Sequence, residues 1–306
     1  MKLLILIISI LASITHTYSD ELKIYVIKPP RGRVNWKNPS ALAMSTFINS
    51  TGHDYAPIGH FAVEVNCSNK NRYGVNRILT GMERKSKAES RKIVLSKKLG
   101  FGSLLWSFEG ALQSKDVSLH DILQGLKQKR MKVIKVPTSK ARCDQMLDFV
   151  EQWIDNGSYR VYGGMKNVSS GEGAGCADFA MELFRIATHQ ERKDWSVHIN
   201  IPTKLIGDGA QKQVKFTKLL TRFKWATEDE ESFYYTIPDT NITLDWLKPR
   251  MKKRQLEYVY TEHLKDVDNI EDLLAHDALK SFDFSYDKTI SNLELWEKIR
   301  LDKNVY

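Results

Sequence analysis

Residues 171–187 read Gly171-Glu-Gly-Ala-Gly175-Cys176-Ala-Asp-Phe-Ala-Met-Glu-Leu-Phe-Arg-Ile-Ala187. A glycine-rich loop runs straight into a short helix, and a cysteine stands at the junction. Phe179, Leu183, Ile186 and Ala187 recur at three and four, which gives that helix one apolar face. Cys176 falls in its first turn, where unpaired backbone N–H groups and the positive end of the helix dipole favour a thiolate. The glycines let the backbone approach a ligand closely and aim N–H groups at an anion. Two readings follow from these residues alone. Cys176 is a reactive nucleophile, or it is a small buried hydrophobe that opens a core helix.

A nucleophilic thiol needs a base, and a third group to orient that base. Ile58-Gly59-His60-Phe61-Ala62-Val63-Glu64-Val65-Asn66-Cys67 alternates as a strand. Phe61, Val63 and Val65 point one way; His60, Ala62, Glu64 and Asn66 point the other. An ordinary sheet with a polar outer face has the same pattern, but Gly59 beside His60 marks a close approach. Glu64 lies two pleats along the same face, a spacing read as about 6–7 Å. Asn66, Asn76 and Thr80 compete with it as the third group. His198, in the extended stretch 195–202, is the rival base. His53, His120 and His189 read as loop or surface residues.

The segments between these points alternate in type. Residues 22–28 and 131–136 read as strands, and 38–50 and 139–155 as capped helices, the second with Cys143, Met146, Leu147, Val150, Trp153 and Ile154 on its face. Residues 76–82 form another strand ending at Thr80-Gly81. The basic stretch 84–98 reads as a loop with a brief strand at 93–95. Residues 99–113 are apolar and broken by glycines, a core segment or a pocket wall. Ser118 is expected to cap a helix through about Lys129. An acidic run at 227–231 reads as a linker. Helical stretches near 243–265, 269–281 and 291–302 follow it.

The chain has 306 residues, 42% of them hydrophobic and 27% charged, enough to bury a core and unlike a disordered sequence. Lys2 followed by the apolar run 3–14 and a small-residue site before Asp20 reads as a signal peptide over residues 1–19. An exported chain is therefore expected, periplasmic or secreted, with no stable membrane insertion. The formal charge is +9, or +8 once Lys2 is removed. That balance suits a solvated basic surface or an anionic surface polymer, and no recognisable motif points to nucleic acid. Cys67, Cys143 and Cys176 permit one bridge and one free thiol. Cys67–Cys143 bridged with Cys176 free suits the nucleophile reading, while Cys143 on an apolar helix face also reads as simply buried. No Cys/His cluster has zinc spacing, and no cofactor is expected.

The order Gly59-His60-Phe-Ala-Val-Glu-Val, strand 131–136, helix 139–155, an extended piece with Tyr159 and Tyr162, then Gly175-Cys176-Ala-Asp-Phe resembles the circularly permuted NlpC/P60-type papain-like thiol hydrolases. The likeness covers about residues 22–205. It implies an α+β fold, an antiparallel sheet packed on helices, for a domain spanning 20–225. A mostly helical extension or small subdomain would occupy 226–306. It implies Cys176 as nucleophile, His60 as general base and a polar residue near the histidine, for which Glu64 is the first choice. Family members often carry Asn before the cysteine, where this chain has Gly175. The function so implied is an exported amidase or peptidase that forms an acyl-enzyme on Cys176 and acts on a peptide or amide, such as a cell-wall polymer. The alternative is a catalytically silent exported domain of the same fold that binds a surface polymer or partner protein.

Overall fold

The computed structural model describes residues 20–51 and 57–252. In chain order it places β1 (Glu21–Ile27), α1 (Pro39–Ser50), β2 (His60–Asn66), β3 (Arg77–Thr80), β4 (Met82–Arg84), α2 (Lys87–Lys97), α3 (Gly102–Leu105), β5 (Ser107–Leu112), α4 (Lys115–Lys127) and β6 (Met131–Pro137). Then come α5 (Lys140–Asp155), β7 (Val161–Gly163), α6 (Cys176–Thr188), β8 (Ser196–Pro202), α7 (Phe216–Leu220), β9 (Ser232–Pro238) and α8 (Thr240–Lys252). The fold is mixed α+β, with antiparallel sheets packed against helices.

The central sheet has the order β3-β2-β1-β6. Its strands carry apolar residues at alternate positions, so each face finds a different cover. Leu22, Ile24, Val26, Phe61, Val63 and Val65 pack with α5 and α6. Tyr25, Ile27, Ala62, Leu79 and Val133 pack with Ile122, Leu123 and Leu126 of α4. Both faces of β2 are therefore covered, and the polar face expected on one side is not a solvated one. Trp153, Phe149 and Phe179 lock α5 to α6, with ring centroids 5.4–5.8 Å apart. Trp153 and Phe179, both buried, contribute roughly 2–3 kcal/mol each by burial, which fixes the helix that begins at Cys176. A second sheet, β4-β5-β7, and the pair β8-β9 complete the strands.

A disulfide joins Cys67, just after β2, to Cys143 in α5, with Cα atoms 5.6 Å apart. Cys176 is free and buried. The apolar face of α6 is as read: Phe179 and Leu183 are fully buried and Ala187 nearly so, with Ile186 packed against the same core.

Three expectations need correction. Residues 87–97 are helix α2, not loop and strand; Lys-Ala-Glu-Ser-Arg-Lys is rich in helix formers, and propensity outweighs the lack of an apolar stripe. The helix expected to start at Ser118 starts one turn earlier, with Ser114 as its cap accepting from the Val117 N–H. Ser118 thus lies inside α4. Residues 158–160 form a 3-10 turn, and only Val161–Gly163 is extended.

Beyond the acidic run, β9 pairs with β8 along its whole length, from Ser196 opposite Pro238 to Pro202 opposite Ser232. Leu244 and Leu247 of α8 enter the same core as β1 and α6. The signal segment expected at 1–19, His53 and the helical stretches expected beyond Lys252 lie outside the described residues. No helix among the described residues is long and apolar enough to cross a membrane.

Candidate active site

β3 stops at Thr80 opposite Val63, so the first residues of β2 have no ladder partner on that edge. His60 opens β2 there, and the first turn of α6 reaches it. The Cys176 sulfur accepts hydrogen bonds from the His60 ring and the Phe61 N–H. It accepts a third from the Tyr162 hydroxyl, 3.7 Å away. Tyr162 is delivered by β7, which the glycine loop follows closely: Ala174 N–H bonds Val161 O, and Gly163 N–H bonds Ala174 O, each at 3.2 Å.

The far side of the imidazole is fixed by Gln113. His60 Nε2 lies 2.9 Å from Gln113 Oε1. The Gln113 amide nitrogen donates to Asp121 Oδ2 at 2.8 Å, and Ser118 Oγ donates to Gln113 Oε1 at 3.2 Å. A carboxylate only accepts, so Asp121 takes the NH2 end of the amide and leaves its oxygen toward the ring. His60 Nε2 must then carry a proton, and Nδ1 is left for the sulfur. Gln113 itself is anchored by main chain: its N–H bonds Gly81 O at 2.8 Å, and its carbonyl accepts from Thr80 Oγ1 at 2.9 Å. A Cβ on Gly81 would stand 2.7 Å from Gln113 Oε1 and 3.3 Å from His60 Nε2, so the close approach demands glycine. The earlier start of α4 is what turns Ser118 and Asp121, three residues apart, toward this amide.

Electrostatics follow from these contacts. Burial would push the His60 pKa down. The charge of Cys176 and its hydrogen bond outweigh that, with help from Asp121 and Gln113, and the ring is raised to about 9. Burial would raise the Cys176 thiol; the His60 charge and the bonds from His60, Phe61 and Tyr162 hold it below the ordinary thiol range. Burial, and then the sulfur's charge, raise the Tyr162 hydroxyl, which stays a donor. Both shifts act toward a thiolate–imidazolium pair. Asp178 is raised by burial, and its carboxylate accepts the Gly175 N–H and its own. This is half of a capping box, closing a helix whose N-cap residue has no side chain to offer.

No family model, curated protein or solved structure matches the chain. The site's meaning therefore rests on its own geometry.

Of the residues singled out in the sequence, Cys176 and His60 meet, and Glu64 does not join them. A full pleat repeat is two residues and roughly 6.6 Å, so two repeats put Glu64 about 13 Å from His60 along β2. Its carboxylate is fully buried and accepts from Tyr25 OH and Arg77 Nε at 2.6 Å, with Lys23 Nζ at 3.6 Å. It is the centre of a buried charge cluster. Asn66 ends the same strand beside Arg77, and the Asn76 carbonyl accepts from the Cys67 N–H, both remote from the ring. Thr80 is close, but it holds the Gln113 backbone rather than the histidine. His198 is exposed on β8, bonded to Thr236 Oγ1 and Tyr234 OH at 2.9 Å. His120 and His189 are exposed. What approaches Gly59 is Thr240 of α8, whose hydroxyl bonds Ile58 O at 3.2 Å.

Gln113 and Asp121 were not found from sequence. A single glutamine before a helix cap has no spacing that marks it. Only the pairing of β2, β3 and the β4–β5 connection brings it to His60.

Proposed function

We propose that the protein is an exported cysteine-dependent hydrolase, an amidase or peptidase of permuted papain-like (NlpC/P60-type) architecture acting on peptides such as those of a cell-wall polymer. The single observation that carries this reading is the hydrogen-bonded Cys176–His60 pair with Gln113 fixed on the other ring nitrogen. In the proposed cycle the Cys176 thiolate attacks an amide or ester carbonyl. The His60 imidazolium gives its proton to the leaving amine or alcohol as the tetrahedral intermediate collapses to the acyl-enzyme. Neutral His60 then takes a proton from a water whose oxygen attacks the thioester carbonyl; the C–S bond breaks, which releases the acid and restores the thiolate beside the imidazolium. Gly175 N–H is engaged by Asp178, so the Cys176 and Ala177 N–H groups at the helix start are the donors proposed for the oxyanion. Export rests on the residues of 1–19, and the cell-wall substrate on the sequence resemblance.

A second reading is a silent domain of the same fold that binds a surface polymer or partner. Burial favours it: Cys176 is 6% exposed and His60 9%. One experiment separates the two. The protein is mixed with an activated ester and a panel of peptide amides, quenched in acid and examined by mass spectrometry. The hydrolase reading expects an acyl adduct on the Cys176 peptide that is absent in Cys176→Ala. Turnover in Cys176→Ala equal to wild type, or no adduct with any carbonyl substrate, would overturn it.

A further inference from the structure

Arg84 stands on the same face of the β4-β5-β7 sheet as the tyrosine that touches the nucleophile. The register pairs Arg84 with Gly110 on β5 and Phe108 with Tyr162 on β7. Alternation along β5 puts Phe108 and Gly110 on one face, so Arg84, Phe108 and Tyr162 form a diagonal row across three strands. The row ends at the Cys176 sulfur. The Arg84 guanidinium lies over Phe108, 4.4 Å from its centroid, and 5.5 Å from that of Tyr162.

The acids of this sheet lie on the other face. Glu83 and Glu109 have the opposite parity, and Glu109 pairs with Lys85 on that side. Among the described residues no carboxylate accepts from Arg84. A half-buried guanidinium with no carboxylate beside it among the described residues is unusual, because desolvation is left unmatched. Stacking fixes its plane through its π-face and leaves the in-plane N–H fork open. That fork matches a carboxylate by two parallel hydrogen bonds.

We infer that Arg84 is a specificity residue that holds a carboxylate of the acyl substrate one aromatic ring away from Cys176. The inference rests on the thiol hydrolase reading and narrows its substrate class to peptides or amides bearing a free carboxylate near the scissile bond. Opposite Arg84, Gly110 brings no side chain, and the Tyr159–Tyr162 backbone fills the place a Cβ would take, with Tyr159 O 2.5 Å and Tyr162 N 3.0 Å from it.

The test uses the full chain and two alkylating probes of nearly equal size, iodoacetate and iodoacetamide, at pH 7. In each, the Cys176 thiolate displaces iodide, so the ratio of their rates divides out any change in the thiolate itself. A positive site draws in the anion. In Arg84→Gln the iodoacetate-to-iodoacetamide ratio should fall about fivefold, the size expected for one unit charge near a partly solvated site. In Arg84→Lys, which keeps the charge but not the fork, it should fall less. N-acetylglycine should protect wild-type Cys176 from iodoacetamide and protect Arg84→Gln several-fold less well. A ratio and protection unaltered by Arg84→Gln would overturn the inference and leave the thiolate intact. A wild-type Cys176 no faster than a free small thiol would overturn the hydrolase reading and this inference with it. Melting curves of both variants establish that the comparison is between folded proteins.

Discussion

Gln113 Oε1 lies 2.9 Å from His60 Nε2, and nothing about that side chain is free to turn. Its nitrogen is held by Asp121 at 2.8 Å, and its backbone is bonded to Gly81 and Thr80. The imidazole is thereby fixed with Nδ1 toward the sulfur. Replacing Gln113 with leucine leaves a buried ring N–H without an acceptor, which costs roughly 1–3 kcal/mol. The rate of Cys176 alkylation at pH 6–7 should drop about 10- to 100-fold. An undiminished rate would show that the amide does not position the ring.

Asp121 helps to raise His60. The raised imidazole keeps its proton until pH passes about 9. The lowered thiol keeps its negative charge until pH falls through its depressed value. The paired state is therefore lost on both sides, as a bell. Asp121→Asn keeps an acceptor for Gln113 but removes the charge, so the alkaline limb should move to lower pH. The pH dependence of hydrolysis, or of His60 ring resonances, measures the shift.

Glu64 serves the fold. Glu64→Gln removes the buried negative charge that Arg77 and Lys23 face, Lys23 keeping Glu21 at 3.1 Å, and should destabilise the protein by about 3 kcal/mol in urea titration. Cys176 reactivity per folded molecule should be unaltered. A loss of reactivity in a fully folded Glu64→Gln protein would return Glu64 to the machinery.

The Cys67–Cys143 bridge closes a separation of 76 residues. In the chain-entropy picture its removal by paired serine substitutions should cost about 4 kcal/mol of stability. Mass spectrometry should still find Cys176 as the one thiol labelled in the non-reduced wild type.

Local patterns made the scaffold readable. The β-rich runs at 22–28, 58–67 and 131–136 mark strands, of which β1 and β2 are buried on both faces, and the three-and-four spacing of α5 and α6 marks the face each helix buries. The nucleophile was readable for the same reason: a glycine loop entering an amphipathic helix has a consequence for a thiol at the junction. Helix α2 was missed because its sequence carries no apolar period. The third group was misjudged because strand alternation says which residues share a face and nothing about which neighbour arrives there. Gln113 comes from a different sheet and Asp121 from a helix, and their meeting is a property of strand order. Arg84 was invisible for a similar reason, since its lack of a carboxylate partner among the described residues exists only once Glu83 and Glu109 have been turned to the opposite side.

The central claim is that His60 makes Cys176 a thiolate inside the folded protein. It is tested most directly by following iodoacetamide labelling of Cys176 from pH 4 to pH 10 in the wild type and in His60→Ala. The wild type should react rapidly well below pH 8, with His60→Ala shifted to the titration of an ordinary or more resistant buried thiol. Two superimposable curves, or a wild-type midpoint at or above the usual thiol value, would contradict it.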